Sequence, residues 1–258
     1  RTPPPIYKLA LAGGGAKGIA YEGAAQALRE QQVLDQIKVI AGSSVGAITA
    51  MLLALGGDEV ILAEQTQNFS LCDLLDFAPD FWGECIGLCQ GDKLYSYLQN
   101  LVKKRLLALR VELETAINAK QDAIDKARLL NELEKLYAGF KGKSLTFKDL
   151  EDLKNFSSRC EGPVLKGLIV TGSNRTDQCL DLFSCETCPD MEIARAVHIS
   201  ASYPFLFKPV IQQSKTYIDG GIIDNLPVAA LDTHAGDTLA FMLGADQYSQ
   251  TARKIWKT

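Results

Sequence analysis

Ile37-Lys38-Val39-Ile40-Ala41-Gly42-Ser43-Ser44-Val45-Gly46-Ala47-Ile48-Thr49-Ala50-Met51-Leu52-Leu53-Ala54-Leu55 reads as a short apolar strand, Ile37 to Ala41, turning into a helix of small and aliphatic residues, Ala47 to Leu55. The turn spells G-x-S-x-G, and a sharp strand–turn–helix corner holds the serine oxygen clear of the backbone, where a substrate reaches it. Gly42 and Gly46 flank Ser44 because side chains there would block the close approach of strand and helix. Alone, the pentapeptide fits a plain glycine-rich turn with a surface serine equally well.

Upstream, Tyr7 to Ala12 is a buried-strand candidate leading into Gly13-Gly14-Gly15-Ala16-Lys17-Gly18, and a helix follows from about Ile19 to Gln31. This β-α-β-α order implies a parallel sheet covered by helices. Downstream, Leu165 to Thr171 reads as a strand, Met191 to Val197 as a short helix and Ser202-Tyr203-Pro204 as a turn. Tyr217-Ile218 is a brief strand ending at Asp219-Gly220-Gly221, and Thr238 to Leu243 is the last strand. Lys103 to Tyr137 has apolar residues at 3-4 spacing with a polar bend at Asn118 to Asp122. We read it as a helical insertion on one α/β domain spanning residues 1–258. The irregular apolar stretch with Phe77, Phe81, Trp82, Ile86 and Leu88 reads either as a lid or membrane-dipping loop or as an ordinary covering loop.

Of 258 residues, 47% are hydrophobic and 22% charged, which supplies a sizeable core. The net charge of −4 argues against a nucleic-acid footprint. Seven cysteines, an odd number in a chain this long, fit a reducing compartment better than a disulfide scaffold. Cys85-x3-Cys89 and Cys185-x2-Cys188 are too far apart to favour a zinc site over buried thiols, so no metal or cofactor is expected. The apolar run from Ala47 to Leu55 is about half of a bilayer span. No signal peptide is visible, and the opening Arg1-Thr2-Pro3-Pro4-Pro5 reads as the edge of an excised domain.

Three glycine-bearing turns thus stand at strand ends, and in parallel α/β sheets sites form beyond the carboxyl ends of the strands. The Gly13 to Gly18 turn opens a helix whose first N–H groups lack intrahelical partners, so it suits an anion. That anion is a phosphate or the oxyanion of an acyl-transfer intermediate. Gly13-x-Gly15-x-x-Gly18 also fits a dinucleotide fingerprint, but no acidic residue follows the next strand where a ribose would need it. Ser44 needs a base. His198 reads as a packed helical imidazole, while His234 sits in a polar loop and would complete a Ser-His-Asp order. Asp219 is the better candidate, since two glycines let its carboxylate approach another backbone and a dry cleft raises its basicity. A turn-capping carboxylate is the competing fate of such an Asp-Gly.

Together these residues resemble the patatin-like phospholipase family. Gly13 to Gly18 matches its glycine-rich oxyanion loop, Gly42 to Gly46 its nucleophile elbow and Asp219-Gly220-Gly221 its D-G-G/A motif. Ala194 to Phe205 is similar to its A-x-R-A-S-x-A-x-P stretch, with His198 where a small residue is usual, and Asp224-Asn225-Leu226-Pro227-Val228 fits the continuation. The resemblance implies a three-layer α/β/α fold with a central, mostly parallel sheet. It implies metal-free hydrolysis of phospholipid or other lipid esters by a Ser44–Asp219 dyad, with N–H groups of Gly13, Gly14, Gly15 and Ala16 holding the oxyanion. Lys17, Gly18, Gly42, Gly46, Gly220 and Gly221 support the motifs. A lipid substrate further implies peripheral membrane contact, with room for a protein activator, and the cysteine count adds a reducing, cytosolic setting. The Pro189 to Pro209 wording is similar to secreted bacterial effectors of the family. The readings set against it are a phosphate- or nucleotide-binding module and a catalytically silent, partner-binding relative.

Overall fold

The first strand shows how the sheet is built, because its side chains alternate between two apolar clusters. Leu9 and Leu11 enter a large cluster shared with the helices, whereas Ala10 joins Val39, Ala41, Ile169 and Leu231 in a small one. The computed structural model describes residues 6–67, 71–78, 87–233 and 236–244. Phe81, Trp82, Cys85, Ile86 and His234 lie outside the described residues.

In chain order the elements are β1 (Ile6–Leu11), α1 (Ala20–Glu30), β2 (Val39–Gly42), α2 (Val45–Ala54), α3 (Glu59–Gln67), β3 (Gly87–Cys89), α4 (Asp92–Asn118), α5 (Ala123–Phe140), α6 (Phe147–Cys160), β4 (Gly167–Asn174), β5 (Cys179–Phe183), α7 (Ile193–Ser200), β6 (Phe205–Phe207), β7 (Val210–Gln212), β8 (Lys215–Asp219) and β9 (Asp237–Phe241). The main sheet runs β7-β8-β4-β2-β1-β9, with β5 also paired to β4. Its β4-β2-β1-β9 part is parallel. Strands β5 and β8 pair antiparallel with β4, and β7 pairs antiparallel with β8, so the parallel pairings of this mostly parallel sheet lie among those four strands. Helices pack on the large-cluster face. Among the described residues the other face is covered by the Leu226–Leu231 segment, including the short turn Ala229–Leu231.

One consequence of the mixed sheet positions the site. β2 accompanies β4 as far as Val170, where Gly42 pairs with it. β8 comes the opposite way and ends with Asp219 opposite Gly172. The carboxyl ends of β2 and β8 therefore meet at alternate residues of β4. The sequence argument placed all three turns at the ends of parallel strands. For β8 that reasoning is corrected, since an antiparallel strand reaches the same place by stopping head to head with β2.

Sterics demand glycine at the corner. A Cβ on Gly46 would lie 2.3 Å from the Leu11 carbonyl oxygen, and one on Gly42 would lie 2.4 Å from that of Gly46. Both obstacles are backbone and cannot swing aside. Gly46→Ala is expected to lose on the order of 2–3 kcal/mol through overpacking. A urea-unfolding midpoint equal to the unsubstituted protein's would contradict this packing.

The helical segment expected at 103–137 extends beyond both ends. α4 begins at Asp92, with Asp76 accepting from the Gly91 and Lys93 N–H groups at its start. Its face of Leu94, Leu98, Leu101, Leu109 and Leu113 is buried in the large cluster. The buried Arg105 guanidinium donates to the carbonyls of Leu55 and Gly56 just past the end of α2 and pairs with Glu112. It thereby satisfies helix-end carbonyls that have no intrahelical donor. α4 is thus fastened to the helix that carries Ser44. The expected bend does fall between α4 and α5, where Asp122 caps α5 by accepting from Ile124 and Asp125.

Candidate active site

Ser44 sits between β2 and α2 with φ 54° and ψ −125°, a region that a residue with a Cβ enters at a cost of about 1–3 kcal/mol. It is the N-cap of α2, yet its hydroxyl makes no cap hydrogen bond. A serine cap is ordinarily worth about 1 kcal/mol to a helix. Here the Oγ–H donates instead to Asp219 Oδ2 at 2.6 Å, across 175 residues of chain. Local stability is given up on two counts to present one oxygen.

Asp219 ends β8 and is 2% exposed. Its second oxygen accepts from the Gly221 N–H at 2.7 Å. Burial raises the carboxyl pKa to about 6, against the lowering pull of the Ser44 hydroxyl and the Gly221 N–H. A carboxylate so poised is a better proton acceptor than an exposed one. Gly220 and Gly221 are needed for this approach. Cβ atoms there would meet Thr171 Oγ1 at 2.1 Å and Asn225 Oδ1 at 2.6 Å.

Beneath the serine lies a one-way chain of hydrogen bonds that the sequence reading did not anticipate. Ser43 Oγ donates to the Asp224 carbonyl at 2.6 Å, so the Thr171 hydroxyl, 2.7 Å from Ser43, donates to it. Ser200 then donates to Thr171 and accepts the Ser44 N–H at 3.0 Å. Each hydroxyl gives and receives once, as buried polar groups require. The only sequence hint was a run of small residues around Ser200.

The Gly13 to Gly18 loop arrives from β1. Gly13 N–H donates to the Asn225 carbonyl at 3.1 Å, and the Asn225 amide returns a bond to the Gly13 carbonyl at 3.3 Å. Gly13 is therefore not a free donor, because it clamps the loop to the segment following Asp219. The N–H groups of Gly14, Gly15 and Ala16 donate to no described residue. All three residues are exposed and line the same cavity as Ser44 and Asp219. Gly15 has φ +56°, a left-handed conformation that glycine adopts without penalty. Gly18 abuts Val45, where a Cβ would come within 2.3 Å of its methyl. Lys17 is exposed, with Nζ 3.5 Å from the Gly244 carbonyl.

The cavity measures about 770 Å³. Away from Ser44 its walls are apolar, including Ile48, Leu52, Leu62, Leu74, Leu94 and Leu206. Tyr21 also lines it, its hydroxyl donating to the Ala12 carbonyl at 2.6 Å, and burial raises the phenol pKa. Among the described residues no group of three or more His, Cys, Asp or Glu side chains is arranged to hold a metal ion.

His198 is buried on α7, stacked on Tyr95 with ring centroids 5.3 Å apart, and its Nδ1 lies 3.4 Å from the Arg195 guanidinium. Burial and Arg195 lower its pKa to about 4. It touches neither Ser44 nor Asp219. His198→Gln is expected to leave short-ester turnover within about threefold of the unsubstituted protein, the scale of a packing change. A hundredfold loss with an unchanged melting curve would return the imidazole to the chemistry.

A patatin-like phospholipase family model matches residues 9–232. The chain belongs to the patatin-like phospholipase family. It is 28% identical over 239 residues to uncharacterized protein R571 of Acanthamoeba polyphaga mimivirus, covering 91% of this chain and 64% of that one. It is 27% identical over 230 residues to probable lipid hydrolase 463L of Invertebrate iridescent virus 6, covering 87% and 63%. The structure of VipD from Legionella pneumophila superposes with a TM-score of 0.70 at 24% identity, over 97% of this chain and 53% of that one, which shows a shared fold. ExoU of Pseudomonas aeruginosa, in its complex with SpcU, gives a TM-score of 0.52 at 27% identity, over 94% and 41%. The chain thus spans less than two thirds of these viral relatives and about half of VipD or less of ExoU. The patatin-like core described here is the part they have in common with it.

Proposed function

We propose that this patatin-like chain is a lipid acyl hydrolase acting through a Ser44–Asp219 dyad. One observation carries the reading, the 2.6 Å hydrogen bond from Ser44 Oγ to a buried carboxylate at the foot of a cavity with apolar walls. Ser44 Oγ attacks the ester carbonyl while Asp219 takes its proton. The carbonyl oxygen, now anionic, accepts from N–H groups of Gly14, Gly15 and Ala16 at the start of the turn leading into α1. Such donors need no reorganisation as charge develops. Asp219 returns the proton to the departing alkoxide, leaving an acyl-serine. Water, deprotonated by the same carboxylate, then releases the fatty acid and restores the serine. The family membership and the name of the iridescent-virus relative support a lipid ester as substrate.

The apolar wall predicts chain-length selection. Each buried methylene is worth about 0.8 kcal/mol, roughly fourfold in kcat/KM. Across p-nitrophenyl esters from acetate to octanoate, kcat/KM is expected to climb at about that rate. A flat or falling series would argue against an acyl-binding cavity. Membrane contact in this reading is peripheral, and among the described residues no helix is long and apolar enough to cross a membrane. A protein partner also belongs to the proposal, because the ExoU structure is a complex with SpcU.

A further inference from the structure

We infer that a second cavity, between α4 and α5, is a binding site for a single-chain amphiphile whose head is an anion, a carboxylate or a phosphate monoester. The inference does not depend on the chemistry at Ser44. This cavity measures about 780 Å³, as large as the one at Ser44, and shares no lining residue with it. It is bounded by α4, the second half of α5, residues 141–145 and the start of α7. Cavities of about this volume, mostly apolar with a few placed polar groups, are the usual form of small-molecule sites.

The walls determine the body of the ligand. Val102, Leu145 and Ala194 are buried apolar lining, and Tyr137 and Phe140 stand edge to face with ring centroids 5.5 Å apart. The Tyr137 hydroxyl donates to the Leu106 carbonyl at 3.0 Å, so its proton is not offered to a ligand.

The charges determine the head. The lining holds the cations Lys103, Arg110, Lys141 and Lys143 and the carboxylates Glu134 and Glu192. Both carboxylates already have donors. Arg110 pairs with Glu134 and with Glu114 outside the lining, while Glu192 accepts from Tyr95 and, at 3.0 Å, from Gln99. The ammonium groups of Lys103, Lys141 and Lys143 form no ion pair with a described residue. Every charged residue next in sequence to the lining is also basic, namely Lys104, Arg105, Lys135 and Arg195. In a chain of net charge −4 this is a local excess of positive charge. The end of α5 brings about half a negative charge to the same place, which Lys141 and Lys143 exceed. The N–H groups of Gly142, Ser144 and Leu145 in that turn donate to no described residue. A chain lying on the aromatic wall leaves its head among the lysines, whose methylene stems extend the apolar surface.

The test reads binding rather than turnover. A diazirine-bearing dodecanoate is photolysed on the protein and its adducts are mapped by mass spectrometry, because a single chain also fits the Ser44 cavity. Adducts on peptides containing Leu106 or Tyr137 are expected. Dodecanoate or dodecyl phosphate should compete them away, the tighter competitor identifying the head, whereas uncharged dodecanol should compete far less well. Lys141→Glu with Lys143→Glu should weaken labelling at this site by between about tenfold and a hundredfold. Ala138→Trp, which fills the cavity from an exposed helix position and keeps the lysines, should abolish it. Both variants should retain the melting temperature within a few degrees and short-ester turnover within about twofold. Adducts confined to the Ser44 cavity would overturn the inference. So would dodecanol competing as well as dodecanoate, or unchanged labelling in the lysine pair. Labelling here on a chain without ester turnover would count against the hydrolase reading alone.

Discussion

Ser44→Ala is expected to lower fatty-acid release from phospholipid vesicles by on the order of 10⁴-fold or more, the usual scale for removing an activated nucleophile. The loss follows from geometry, since no other hydroxyl takes the place of the one hydrogen-bonded to Asp219. Ser43 and Ser200 lie close in space, but their hydroxyls are committed to the Asp224 carbonyl and to Thr171. Removing Oγ leaves the Asp219 carboxylate with the Gly221 N–H as its partner and otherwise preserves the corner. The variant should therefore fold with a melting temperature within a few degrees of the unsubstituted protein. Titrated fatty acid with a matched melting curve checks both statements. Residual turnover above a few per cent would mean that a different group attacks the ester.

Asp219→Asn should cost about 10³- to 10⁴-fold, because the amide holds the serine but does not accept its proton. Two pH dependences accompany it, and both follow from a folded pKa of about 6. In the unsubstituted protein kcat/KM should rise about tenfold per pH unit below pH 6 and level off above it, because only the carboxylate is a base. Stability should run the other way. A carboxyl whose folded pKa lies above its unfolded value binds more protons folded than unfolded between those two values, so stability falls as pH rises through that window. From the ordinary value of 3.8 to about 6, the penalty at neutral pH is on the order of 2–3 kcal/mol. Asparagine escapes it but loses charge-assisted bonds. The melting temperature of Asp219→Asn relative to the unsubstituted protein should therefore increase between pH 4.5 and pH 8. A constant difference would show that the carboxylate is not desolvated as described, and an activity limb away from pH 6 would remove it as the base.

The corner around Ser44 was legible in the sequence because local sterics and spacing determine it. Gly42 and Gly46 must be glycine once a strand turns at once into a buried helix, and the G-x-S-x-G spacing announces that turn. The pairing of Ser44 with Asp219 was legible through motif resemblance, but its topological basis was not. Strands β5 and β7 carry no strong alternation, and three-residue strands give no periodic signal. The reversal of β8, which brings Asp219 to Ser44, was therefore invisible. Reading Lys103 to Tyr137 as an insertion missed the first turns of α4, because Asp92 to Val102 is too short a run to separate from the irregular segment before it. Arg105 follows Lys103 and Lys104 in a run of three basic residues, yet it is buried against the end of α2. A buried arginine is recognisable only from the carbonyls it meets. The same holds for Gly13, whose N–H resembled an oxyanion donor until its Asn225 partner was in view.

The most direct test is covalent labelling with a fluorophosphonate, followed by mass spectrometry of the modified peptide across pH. A single adduct on Ser44, absent in Ser44→Ala and forming at a rate that rises to a plateau with a midpoint near pH 6, is the predicted result. An adduct on another residue, or none on a folded chain that hydrolyses lipid esters, would contradict the dyad.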